Sequence, residues 1–130
     1  MSVTLNPRSR TLIYASILSC LALALLTLGG CEVERRKSDA ELGLNPQQSA
    51  GRRLYDEYCD RCHAPYSTRG RQGPGLKGVF KKEYLPISGI RANDARVGDI
   101  IRFGRGKMEA FGNVLTQQQI DDMLAYMHTL

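Results

Sequence analysis

The stretch CDRCH, Cys59 to His63, presents two thiols separated by two residues, with an imidazole directly after the second. This pattern serves three different chemistries: half of a structural zinc site, a redox dithiol, or the covalent attachment of a cofactor. Each needs different company elsewhere in the chain.

Of four cysteines, Cys20 lies in an apolar run and Cys31 in the tetrapeptide LGGC, so Cys59 and Cys62 are the only thiols left for a folded domain. Structural zinc takes four ligands, usually as two pairs, and beyond CDRCH the domain offers only His128. His63 directly after Cys62 would also strain a tetrahedral site. A thioredoxin-like dithiol sits at the start of a helix that follows a strand, whereas here the pair follows a helical pattern and no strand pattern precedes it. A disulfide across two residues would close too small a loop to stabilise much. The reading left is that both thiols add across the vinyl groups of a haem, with His63 turning beneath the ring to ligate the iron.

The N-terminus agrees with that chemistry. Residues 1–30 carry Arg8 and Arg10, then run without charge from Thr11 to Leu28 and reach LGGC at Leu28–Cys31. This is the pattern of an export signal. The arginines are split by Ser9, so ordinary secretion is expected rather than the twin-arginine route. LGGC resembles the bacterial lipoprotein cleavage box, which implies that Cys31 is lipidated and becomes the first mature residue. An uncleaved anchor is the alternative, because the apolar run approaches the roughly 18 to 20 residues that span a bilayer. Both readings put the rest of the chain in the bacterial periplasm, held at a membrane.

Residues 31–44 follow as a lipidated cysteine and a charged segment, EVERRKSDAELGL, too poor in apolar bulk to offset the entropy of ordering. A flexible tether is expected, reaching roughly 50 Å when extended. The whole chain has 18 basic and 13 acidic residues, and without Arg8 and Arg10 the excess falls to +3. That is too little to argue for nucleic acid. Arg61, Arg69, Arg71, Lys77, Lys81 and Lys82 nevertheless gather in sequence around CDRCH, where an ordinary solvated loop is expected and a docking face for acidic-surfaced partners is the alternative.

Residues 45–130 form the domain, and three helices are predicted in it. Asn45, Pro46 and Gln48 supply an N-cap, a first-turn proline and a capping-box glutamine, followed by Ala50, Leu54 and Tyr58 at helical spacing. A shorter helix starts at Asn93 and Asp94, continues through Val97, Ile100 and Ile101, and stops at Gly104. The third begins with a Thr116–Gln119 capping box and carries Ile120, Met123, Leu124 and Met127 on one stripe. Between the first two lies Ala64–Ala92, rich in glycine and proline. A structureless loop of that length is unusual unless it wraps something that is not protein.

At this point the chain resembles the small c-type cytochromes with one haem, over nearly all of Asn45–Leu130. The resemblance rests on the helix before CDRCH, GPGLKG at Gly73–Gly78, the methionine in FGRGKMEAFG, and the terminal LTQQQIDDMLAYMHTL. It implies an all-α, small cytochrome c fold with long loops around one covalent haem c. It further implies that Pro74 accepts a hydrogen bond from the axial His63, and that Met108 is the sixth ligand. The family commonly has proline after that methionine, where this chain has Glu109. Gly51, Tyr55 and Tyr126 match the close crossing of the first and last helices.

With both axial positions filled, the expected activity is one-electron transfer to and from redox-protein partners, not catalysis. A fixed cytochrome c subunit of a larger membrane oxidoreductase is one alternative. A haem-based ligand sensor, should the methionine be labile, is the other.

Overall fold

The helix starts lie where local chemistry puts them. In the computed structural model, which describes residues 12–14, 16–21 and 36–130, helix α1 (Pro46–Tyr58) opens with the Asn45 side chain accepting from the Gln48 N–H while Gln48 answers to the Asn45 N–H. Helix α2 (Asp94–Phe103) is capped by Asn93 and stopped at Gly104, whose φ of 72° suits glycine. Helix α3 (Gln117–Met127) has the Thr116–Gln119 capping box. One 3-10 turn, Val79–Lys81, interrupts the long loop. Among the described residues the only extended pairings are isolated bridges, Tyr84 with Arg91 and Arg105 with Met108. The fold is therefore all-α.

The chain divides into residues 1–36 and a second unit, Lys37–Leu130. In the first, residues 12–14 and 16–21 are helical, and Leu12, Leu18 and Leu21 are exposed. No helix among the described residues is long and apolar enough to cross a membrane. The lipidation expected at Cys31 falls outside the described residues, as do Arg8 and Arg10.

The second unit is organised by the crossing of α1 and α3. A Cβ added at Gly51 would lie 1.8 Å from the Asp122 carbonyl oxygen, so glycine is what lets the two backbones meet. Beside that contact the rings of Tyr55 and Tyr126 pack edge to face at 5.4 Å. Tyr55, Tyr126, Ile120 and Met123 are fully buried, and Leu124 and Met127 extend the same apolar stripe. Helix α2 adds Val97 and Ile101, and the loop residues Leu76 and Phe80 pack against this core. The loop is also tied to the chain end, through Gly78 N–H to Leu130 O at 3.0 Å and Lys81 Nζ to the same oxygen at 3.2 Å.

One boundary needs correcting. The tether expected over residues 31–44 is folded from Lys37 onward. Arg52, 8% exposed on α1, donates to Asp39 Oδ1 at 2.6 Å and to Lys37 O at 2.5 Å. Leu42, Gly43 and Leu44 then donate back to Ser38, Ala40 and Asp39 in a tight turn. A nearly buried guanidinium needs partners, and the acidic strap supplies them.

Candidate functional site

CDRCH forms the turn that ends α1. The Cys59 N–H closes the helix on Tyr55 O at 2.8 Å, and Cys62 and His63 both donate their N–H groups to Cys59 O. Both cysteines are free thiols. Cys59 is buried with its sulfur 3.5 Å from Met123 Sδ, while the half-buried Cys62 sulfur faces Gln72 Oε1 at 3.5 Å. Burial first, then the neighbouring Cys62, Asp56 and Asp60, pushes the Cys59 thiol up to about 12. A thiol at a helix C-terminus with that bias is poorly suited to redox-dithiol work, which needs a thiolate near neutral pH.

His63 is held at its ring and at its backbone. Its Nδ1 lies 2.8 Å from Pro74 O. A carbonyl can only accept, so Nδ1 carries the proton and Nε2 keeps a free lone pair. This is the tautomer a metal-ligating histidine requires, with the second nitrogen fixed by an outer partner. Gly73 makes room for the ring, since a Cβ there would stand 2.3 Å from His63 Cε1 and 2.8 Å from either ring nitrogen. At the backbone, the Tyr55 hydroxyl donates to His63 O at 2.8 Å.

Met108 closes a tight turn after α2, exchanging N–H to O bonds with Arg105 at 3.0 Å each way across Gly106, whose φ is 60°. It is half-buried against the core, whereas Glu109 is exposed. Met123 and Met127 are core residues. His128 is committed elsewhere: its Nε2 lies 2.6 Å from Asp94 Oδ1 and its ring stacks on Phe80 at 4.0 Å. In the basic cluster, Arg71 bonds the Asp60 carbonyl and pairs with its carboxylate at 3.4 Å, and Lys81 holds the chain end. Arg61, Arg69, Lys77 and Lys82 are exposed.

The donor set fits haem c and does not fit zinc. Among the described residues no three His, Cys, Asp or Glu side chains gather to hold a metal ion. Two free thiols in the turn that ends α1, followed directly by an imidazole whose Nδ1 is already bonded to Pro74 O, suit the covalent attachment of haem. Fold and site together define a small c-type cytochrome domain, whose cofactor is covalently bound haem c. Residues 46–127 match the family described as "Cytochrome C oxidase, cbb3-type, subunit III", and the chain belongs to that family. No curated protein and no solved structure matches it.

Four contacts of the site were not anticipated from the sequence: Tyr55 to His63 O, Gln72 against Cys62, Gly73 beneath the imidazole, and Met123 against Cys59. Only Gly73 had a signal in sequence, as part of GPGL. The other three depend on how distant segments fold together.

Proposed function

We propose that the protein is a one-electron carrier held at the periplasmic face of a bacterial membrane, in which Cys59 and Cys62 would hold haem c covalently and His63 and Met108 would ligate its iron. The observation that carries the ligation is the His63 Nδ1 to Pro74 O bond, which leaves Nε2 as the donor nitrogen. Bound haem c supplies a one-electron iron couple. Pro74 would keep the imidazole oriented and more basic, and Gly73 would keep its approach clear of side chains. Met108 would offer a soft thioether, which favours reduced iron and raises the potential relative to two histidines. The thiols of Cys59 and Cys62 would fix the cofactor against a core built from Met123 and the α1–α3 crossing.

Optical and redox titration of wild type against Met108→Ala tests the ligand pair. Loss of the low-spin spectrum and a lowered potential are expected. An unchanged spectrum and potential rule Met108 out, and tight carbon monoxide binding by the reduced wild type favours a ligand sensor instead.

A second reading has its own support. The matched family's description names an oxidase subunit, and the folded unit starts at Lys37. From a lipidated or membrane-anchored Cys31 that leaves about six residues, roughly 20 Å when extended. So short a leash suits a domain fixed beside a membrane-embedded partner better than a free shuttle. Recovery of a stable complex after mild detergent extraction would favour the fixed subunit, and recovery of the isolated domain would favour the carrier.

A further inference from the structure

We propose that Tyr55 is a positioning residue for His63, setting the imidazole through its backbone while Pro74 sets it through its ring. The inference rests on the ligation proposed above. Tyr55 is fully buried, and its hydroxyl donates to His63 O at 2.8 Å across eight residues of chain. Its ring does not float in the core: the edge-to-face contact with Tyr126 holds it, and the Gly51–Asp122 approach fixes how far α3 stands from α1. Tyr126 in turn pairs its hydroxyl with that of Tyr66 at 3.0 Å, three residues beyond His63. The crossing therefore bonds the backbone of His63 itself only through the Tyr55 hydroxyl, whereas the Tyr126–Tyr66 bond lies three residues farther along the loop.

A ring tied at one nitrogen can still pivot if its backbone drifts. With Tyr55 in place, both ends of the side chain are fixed, so the Nδ1–H to Pro74 bond stays short and Nε2 stays basic. Removing the hydroxyl leaves the half-buried His63 carbonyl without its Tyr55 donor and lets the turn relax. A longer, weaker hydrogen bond from Nδ1–H to Pro74 O makes the imidazole a weaker electron donor, which would stabilise ferric iron less and raise the potential.

The test uses the matured holoprotein as wild type, Tyr55→Phe, Tyr126→Phe and a variant with 3-fluorotyrosine at position 55. Reduction potential, ferric electron paramagnetic resonance g-values and thermal midpoint are read for each. Tyr55→Phe is expected to raise the potential and shift the g-values. Tyr126→Phe breaks the Tyr66 bond, so it is expected to lower the midpoint comparably while leaving both iron readouts in place. Fluorotyrosine, a stronger donor, is expected to lower the potential and provides the decisive readout if Tyr55→Phe fails to mature. Unchanged potential and g-values in Tyr55→Phe, or in the fluorotyrosine protein, overturn the proposal, as do equal shifts in Tyr55→Phe and Tyr126→Phe. Failure of the underlying ligation looks different: a low-spin signature that survives His63→Ala removes His63 itself as the ligand.

Discussion

Replacing Gly51 with alanine puts a methyl group where the backbone of α3 already lies. The new carbon would sit 1.8 Å from Asp122 O, 2.4 Å from Asp122 C and 2.8 Å from Met123 N, so the helices must part by roughly 1.5 Å to restore van der Waals separation. No rotamer relieves the clash, because every obstructing atom is main chain. Overpacking of this kind costs about 3 kcal/mol, and the better helix propensity of alanine returns up to about 1 kcal/mol. A net loss of about 2 kcal/mol is expected, or about 10 °C in thermal midpoint for a domain of this size. Gly98→Ala is the matched control. Its Cβ meets only Leu124 Cδ1 at 3.5 Å and Ile120 Cγ2 at 3.8 Å, ordinary contacts, so it should be neutral or stabilising by up to about 1 kcal/mol. Thermal unfolding of the two holo variants by circular dichroism decides the matter. A Gly51→Ala midpoint within 2 °C of wild type would refute the close crossing as the organising contact.

Three further outcomes follow from the same geometry. Gly73→Ala should drive the imidazole off its seat, since the added carbon falls 2.3 Å from His63 Cε1; loss of low-spin character in the optical spectrum checks this. Tyr126 is held above the ordinary tyrosine value of 10.0 by burial first and by the Tyr66 bond second. The stability of its neutral form is complete below about pH 10 and is lost as pH rises towards the folded-state value, so alkaline unfolding should be steeper in wild type than in Tyr126→Phe. Asp39 is held below the ordinary carboxylate range of 3.8, chiefly by a bond from Ser49 and then by Arg52, with burial opposing. Its contribution to the strap is present above that range and is lost as pH falls through the folded value. Arg52→Ala should mimic acid, speeding hydrogen exchange at the Leu42, Gly43 and Leu44 amides at neutral pH while α1 stays protected.

What the sequence made legible was local. The caps at Asn45 and Thr116 each join residues three apart, so the signal and the structure lie in the same few residues. The stop at Gly104 and the apolar stripe of α3 are equally local. The Gly51, Tyr55 and Tyr126 crossing and the Pro74 partner of His63 were foreseen through family resemblance rather than spacing. The strap was missed because composition measures only what a segment can bury by itself. Lys37–Leu44 buries little, yet it is ordered by Arg52, thirteen residues beyond Asp39. The Cys59–Met123 contact spans 64 residues, and no sequence pattern announces it.

The central claim is that Cys59 and Cys62 hold one haem covalently. Intact mass of the purified protein under denaturing conditions tests it most directly, against Cys59→Ala with Cys62→Ala. The account predicts one haem retained on every wild-type chain through acid and solvent extraction, and none on the double variant. Release of the haem from wild type by that treatment, or equal retention by the double variant, would contradict it.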